Sequence, residues 1–459
     1  MIAGTGSGCG KTTIVCGLLS ALQKQGERPA AFKCGPDYID PMYHREVLGI
    51  DSRNLDSFFQ PGEMLRENLV RGSRGKTIAL IEGVMGYYDG LGSGSRYSCA
   101  EVAELTETPV ILVVDCGGRA VSAIAELQGF LHFRPEGKRI CGVIFNRLPS
   151  KLYPQLAALA ESEGIRPCGY LPKNAVKKWE SRHLGLITPA ELPAFREEAE
   201  LLAERIAETV DMDAVCRIAR EAEGLSGITD AGSGQTHGPE NDAPVVALAR
   251  DEAFCFYYTE NIEYLESRGI KIVPFSPIRD RELPDCDGLI LPGGYPENHA
   301  KELEENEALR TRIRESIASG LPTIAECGGY LYLHRRLIDA NKHEYAMSGI
   351  FDEDCSYEGM QKNFGYVKVS TDKDSLLGAA GAENRGHEFH YFRSGMAEKS
   401  EAAAFSCEKP DGSSRWSGGF VTDRLYAGFA HLFLPESSAG ERFTELVKEH
   451  AARRLTERK

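Results

Sequence analysis

Along the first half of the chain, short apolar runs take turns with longer segments of helical spacing. "AAFKCG", "TIALIEGVMG", "TPVILVVDCGG" and "RICGVIFNRL" are the clearest runs, and each ends at Gly, Asp or Asn. An unbroken apolar run of that length predicts a strand buried on both faces, as in a parallel sheet. Helical segments over 12–25 and 120–131 lie between them. The rhythm predicts a doubly wound, mostly parallel α/β sheet. Residues 195–222 predict one polar amphipathic helix. The Gly-, Ser-, Asp- and Pro-rich "GLSGITDAGSGQTHGPENDAP" then predicts a linker.

After it the alternation restarts. "VVALARD", "KIVPFSP", "GLILPGG" and "PTIAECGG" predict strands, with helices over 253–267 and 296–319. From residue 345 the period shortens toward strands and turns. Two α/β domains are therefore expected, over 1–222 and 244–459, joined by 223–243.

Composition narrows the class. The 459-residue chain is 42% hydrophobic and 26% charged, with no apolar run long enough to span a membrane, and "MIAGTG" is not a secretory start. A net charge of −15 argues against broad contact with nucleic acid or anionic membrane. Thirteen cysteines without a CxxC pair suit reduced, buried thiols and a cytoplasmic location.

Two stretches carry candidate chemistry. In "MIAGTGSGCGKTT" a Gly-rich turn leads into Lys11, Thr12, Thr13 and a helix. Backbone N–H groups of such a loop cradle phosphate oxygens, the lysine neutralises phosphate charge and the hydroxyl of Thr12 offers a ligand to Mg²⁺. The strict GxxxxGK[ST] pattern is missed, because Thr5 stands where its first glycine belongs; Gly6, Gly8 and Gly10 remain. Glu82, at the end of "IALIE", is a candidate metal ligand, with Asp89 in the following loop a second. "FKCGPDYIDP" adds Lys33, Asp37 and Asp40, where metal binding or proton transfer competes with a turn-capping role for Asp37. Asn146, in "GVIFNR", is placed to read adenine.

The second stretch is "LPTIAECGGYLYL". Cys327 sits between an apolar strand and a helical run, where a thiol is held on a tight corner and its thiolate is favoured by the helix N-terminus. The N–H of Gly328, with Gly293 or Gly294 of "LILPGGYPE", would meet a developing oxyanion. A base is needed as well, and His431 in "AGFAHLFLP" is preferred to His387 and His390 of "RGHEFHYF".

With these motifs the chain resembles the cobyrinic acid a,c-diamide synthase family. The match runs nearly end to end through "GTGSGCGKTT", "KCGPDYIDP", "EGVMGYYDG", "LPGGYPE", "AECGGYLYL" and "RGHEFHY". The N-terminal half is also similar to dethiobiotin synthetase and the C-terminal half to class I glutaminases. The resemblance implies a P-loop domain followed by an α/β glutaminase-like domain. It further implies glutamine hydrolysis through a Cys327 thioester with His431 as base, and ammonia used on carboxylates activated by ATP as acyl phosphates.

Lys11, Thr12 and Glu82 would then hold nucleotide and metal, with Asp37, Asp40 and Asp89 near the acyl phosphate. Tyr38, His387 and Arg393 would meet the substrate. Arg45, Arg53, Arg96 and Arg385 are further candidates for its carboxylates, and Tyr87, Tyr88, Phe389 and Tyr391 for its ring. The implied partners are glutamine, ATP and a polycarboxylate tetrapyrrole, with a homodimer left open. Nickel-sirohydrochlorin and hydrogenobyrinic acid are alternative substrates.

A P-loop partition or regulatory ATPase with an inert second domain is the reading from another class. Against it, the early signature lysine of those ATPases is Gly6 here. Class I glutaminases often carry a Glu two residues after the histidine. That position is Phe433, so the third member of the site is unassigned.

Overall fold

The computed structural model describes residues 1–173, 175, 192–225, 243–396 and 404–457. The chain divides into two compact units, Met1–Asp230 and Ala231–Lys459. The expected linker, 223–243, lies almost wholly outside the described residues.

In the first unit β1 (Ile2–Gly4), β2 (Pro29–Cys34), β3 (Ser52–Leu55), β4 (Ile78–Glu82), β5 (Val110–Asp115), β6 (Ile140–Asn146) and β7 (Arg166–Leu171) form one sheet. Their order is β3-β2-β4-β1-β5-β6-β7, and every pairing is parallel. The edge strands β3 and β7 were not expected. "SRNL" lacks an apolar run, and "RPCGYL" carries a proline that only an edge tolerates well.

Helix Lys11–Lys24 buries Ile14, Val15, Leu18, Leu19 and Leu22. It packs closely on helix Leu192–Thr209, since a Cβ on Gly17 would stand 2.6 Å from Ile206. The single helix expected over 195–222 is two helices, Leu192–Thr209 and Met212–Arg220. Between them Val210 bridges Gly169, Asp211 N–H donates to Cys168 O, and the Asp211 carboxylate caps the second helix at Ala214 N (2.8 Å).

The second unit holds β8 (Val245–Ala249), β9 (Lys271–Phe275), β10 (Gly288–Leu291), β11 (Thr323–Glu326), β12 (Arg336–Ile338), β13 (Glu344–Ala346), β14 (Asp354–Ser370), β15 (Asn384–Ser394), β16 (Ala404–Glu408), β17 (Arg415–Val421), β18 (Leu425–Gly428) and β19 (His431–Leu432). A parallel part, β9-β8-β10-β11-β18, continues through β17, β16, β14, β12 and β13. β15 pairs antiparallel with both β14 and β19.

The helix expected over 253–267 starts only at Thr259. Residues before it are tied elsewhere: Asp251 accepts Ala253 N–H (2.9 Å), Phe256 N–H donates to Gly293 O, and Tyr295 N–H donates to Ala253 O. The segment expected as a helix over 296–319 breaks at Asn306, whose side-chain amide donates to Pro277 O and Asp280 O. The C-terminal helix Ser438–Glu457 buries Phe443, Leu446 and Val447, and its Arg454 pairs with buried Asp287 at 2.8 Å.

Candidate functional site

At the C-terminal end of β1 the loop turns through Gly8 (φ 72°) and Gly10 (φ 98°), left-handed backbone that favours glycine. A Cβ on Gly10 would also fall 2.0 Å from Asn146 Nδ2. The missing glycine at Thr5 costs the loop nothing. Thr5 is not left-handed, and its N–H makes a strand-like bond to Val113 O (3.2 Å). Lys11 Nζ donates to Gly6 O (2.9 Å) and Met85 O (2.5 Å), folding its ammonium over the loop. Thr13 follows in the same first turn.

The Asn146 amide expected at adenine donates instead to Cys9 O at 2.8 Å, so it braces the loop. Arg147 was not singled out from the sequence. It donates to Gly8 O and forms an ion pair with Asp115 (2.6 Å), a second brace.

Beside the loop lies a buried knot of charge. Thr12 Oγ1 donates to Glu82 Oε1 at 2.6 Å and lies 3.4 Å from Asp40 Oδ2. Lys33 Nζ meets Asp40 (2.5 Å), Glu82 (3.0 Å) and Asp37 (3.7 Å). His44, fully buried, lies 3.2 Å from Glu82 Oε2 and 3.0 Å from Ser52 Oγ. Burial alone would strip Lys33 of its proton, but the three carboxylates outweigh it and hold the ammonium well above its ordinary range. Burial likewise pushes the Asp40 carboxyl up, with Glu82 adding to the rise. In Glu82 the attraction of Lys33 and the hydrogen bond from His44 win and hold it low.

Asp37 uses Oδ1 to cap Ile39 N–H (2.8 Å) and Asp40 N–H (3.3 Å), so Asp40, not Asp37, stands against Thr12. Tyr38 is the half-buried residue that starts helix Ile39–Glu46. Asp89 is exposed and pins its own loop by accepting Gly86 N–H (2.9 Å). Tyr87 and Tyr88, candidates for the ring, donate to Glu136 O and Phe130 O; Tyr87 lies in the core and Tyr88 packs against it, half-buried.

No group of three or more His, Cys, Asp or Glu is gathered for a metal among the described residues. The Thr12 hydroxyl and Glu82 carboxylate fit Mg²⁺ in another manner, with the remaining ligands drawn from phosphate and water.

In the second unit Cys327 follows β11 with φ 47° and ψ −102°, a strained backbone for a side chain that carries a Cβ. Its N–H donates to Gly428 O (2.8 Å), and helix Gly328–Tyr332 starts immediately. The two glycine corners meet here. A Cβ on Gly328 would stand 3.0 Å from Gly294 N, and one on Gly293 would stand 2.2 Å from the His431 ring. Gly294 (φ 155°) lies so close to Ala253 O that a Cβ would fall 2.1 Å from it.

Burial pushes the Cys327 thiol up, and the nearby Glu297 carboxyl adds to the rise. The resting group is therefore a thiol, whose proton must go to a base. Burial, then His390, pulls His431 down to about 3, which leaves a neutral imidazole able to accept it. His390 has both ring nitrogens engaged, by Phe392 O (2.6 Å) and Glu388 (2.8 Å). His387, a candidate for the substrate and a rival for the base, is the buried cross-strand partner of His431. Arg393 lies 3.8 Å from Glu358, and half of its side chain is exposed.

Two carboxyls near the thiol were not singled out from the sequence. Burial lifts Glu297 to about 7 and Glu326 to about 8. The available signal for Glu326 was a charged residue at the end of a wholly buried strand.

Comparison with known proteins agrees with this division. The profile of the CobQ/CobB/MinD/ParA nucleotide binding domain matches residues 1–187, and that of the CobB/CobQ-like glutamine amidotransferase domain matches 245–439. Cobyrinate a,c-diamide synthase from Listeria monocytogenes is 38% identical over 444 residues, covering 94% of this chain and 95% of the relative. The synthase of the same name from Salmonella typhimurium is 38% identical over 441 residues, covering 94% of each. That from Methanothermobacter thermautotrophicus is 38% identical over 402, covering 86% and 87%. A nucleotide-binding unit and a thiol corner of amidotransferase type, in one chain alike to these enzymes along almost its whole length, leave one conclusion: the protein belongs to the cobyrinate a,c-diamide synthase family of glutamine-hydrolysing amide ligases.

Proposed function

We propose that the protein amidates the a and c side-chain carboxylates of cobyrinic acid, using ATP and ammonia from glutamine, through acyl phosphates. What carries the reading is the pairing in one chain of Thr12 fastened to Glu82 beside a phosphate loop with a strained thiol corner that shares Gly293 with His431.

In the second unit the Cys327 proton passes to His431, and sulfur attacks the glutamine amide carbon. The N–H groups of Gly328 and Gly294 meet the oxyanion. The C–N bond breaks, ammonia leaves with the proton returned by His431, and water hydrolyses the thioester.

In the first unit the loop amides and Lys11 orient the triphosphate. Thr12 and Glu82 would hold Mg²⁺, which when bound neutralises charge on the phosphates. Lys33 adds a fixed positive charge as a substrate carboxylate oxygen attacks the γ-phosphorus and ADP leaves. A carboxylate is a poor acylating agent, whereas the acyl phosphate carries a good leaving group that ammonia displaces. Asp40 accepts a proton from the incoming ammonium.

The test is phosphate release with glutamine supplied, run against a panel of tetrapyrroles. Release dependent on cobyrinic acid, with two amides per molecule, is expected. Release with nickel-sirohydrochlorin or hydrogenobyrinic acid alone would overturn the substrate assignment.

A further inference from the structure

The histidine of the thiol site has no carboxylate two residues after it, where Phe433 stands. A carboxylate reaches the same ring from another direction. Glu326 is the last residue of β11, immediately before Cys327, and is only 5% exposed. Its Oε1 accepts Leu432 N–H at 2.8 Å, and its Oε2 lies 3.8 Å from His431 Nδ1. His431 is 2% exposed, so water does not screen the pair. Among the described residues His431 is the one basic side chain within ion-pair distance of Glu326.

We propose that Glu326 is the positioning residue of the glutaminase site. Through one oxygen it fixes the backbone just past His431, and through the other, when ionised, it favours the proton on Nδ1 by charge attraction across 3.8 Å. Nε2 is then left as the atom that takes the Cys327 proton. Because Glu326 and Cys327 are neighbours, a single strand end registers nucleophile and base together. The carboxylate forms and breaks no covalent bond. It stabilises the imidazolium while sulfur attacks and the proton waits for the leaving ammonia. The inference rests on the reading of Cys327 as nucleophile and His431 as base.

The titratable groups that face His431 are Glu326 on β11, and His387 and His390 on β15. They give the site macroscopic ionisations shared among them.

Glu326→Gln separates positioning from mere support. Its carbonyl can keep the Leu432 bond, but its NH₂ then faces Nδ1 and forces the opposite tautomer, with the proton on Nε2. The expected result for glutamine hydrolysis by the full chain is a kcat about 100-fold lower with little change in KM. The rising limb of the pH profile should move, and alkylation of Cys327 by iodoacetamide should slow in parallel. Glu326→Asp, which keeps the charge, should recover part of the rate and the original profile.

Hydrolysis by Glu326→Gln within about twofold of the parent and with an unaltered pH profile overturns the proposal, provided that Cys327→Ala and His431→Asn are inactive. If either of those two retains hydrolysis, the thiol–imidazole reading itself has failed. Should Glu326→Gln not fold, Glu326→Asp decides. A kcat loss of about 10-fold at unchanged melting temperature supports positioning, and an unchanged kcat overturns it.

Discussion

Thr12 Oγ1 donates a 2.6 Å hydrogen bond to Glu82 Oε1, fastening the helix that follows the phosphate loop to the end of β4. The same oxygen lies 3.0 Å from Lys33, and the other carboxylate oxygen lies 3.2 Å from His44. One buried carboxylate thus joins loop, lysine and histidine, so it carries both shape and charge.

Glu82→Gln removes that charge while keeping the volume. It leaves Lys33 facing fewer anions in a dry site, so the first unit should lose about 3 kcal/mol of stability. Amide synthesis should be lost with glutamine and with ammonia alike. Thermal melting and product assays with both nitrogen sources check this.

Cys327→Ala should divide the two activities. Glutamine-dependent product is expected to fall by at least about 1,000-fold, because the thioester forms on the Cys327 sulfur. Ammonia-dependent product should persist. Equal loss with both nitrogen sources would make Cys327 structural.

Gly10→Ala places a methyl 2.0 Å from Asn146 Nδ2 on a φ of 98°. The loop must shift, and ATP affinity should fall by about 10-fold or more, since the phosphate cradle is made of its own backbone. Nucleotide titration by calorimetry measures the change, and glutamine hydrolysis serves as the control.

Asp40→Asn tests the proton acceptor. Near neutral pH, ammonia-dependent amidation should show a raised KM for total ammonia, and the defect should shrink as pH rises and free ammonia becomes abundant. Full activity at low ammonia would remove Asp40 from this role.

Asp287 gives the second unit a pH-dependent tie to its last helix. Burial tends to raise its carboxyl, but hydrogen bonds from His450 and Arg454 outweigh that and hold it below the ordinary range. A depressed folded value means stability present above the unfolded value of about 3.9 and lost as pH falls through the folded value. Asp287→Asn should cost about 1–2 kcal/mol at neutral pH and progressively less in acid, as read by denaturant titration across pH.

Much of this architecture shows in the residue order. Continuous apolar runs such as Val110–Asp115 announce strands covered on both faces, and glycines at Gly8 and Gly10 announce the loop. Edge strands escaped because half-covered backbone needs no apolar run, as Ser52–Leu55 illustrates. Helix breaks at Asp211 and Asn306 depend on bonds to partners distant in sequence, from the Asp211 backbone N–H to Cys168 O and from the Asn306 side-chain amide to Pro277 O. The C-terminal helix was expected as strands and turns, although its stripe of Phe443, Leu446, Val447 and Ala451 was readable. The proposed thiol and imidazole could be picked out by residue type and corner glycines. Glu326 showed only as a charged residue ending an apolar strand, and its nearness to His431 depends on the segment 431–432 returning beside it, which no local pattern encodes.

The backbone at Cys327 has one further outcome. A φ of 47° on a residue with a side chain holds about 1–2 kcal/mol of tension that glycine would release. Cys327→Gly should therefore yield a protein that survives more heat while hydrolysing no glutamine. Durability has been surrendered at a single peptide so that the reactive atom stands ready before its substrate arrives.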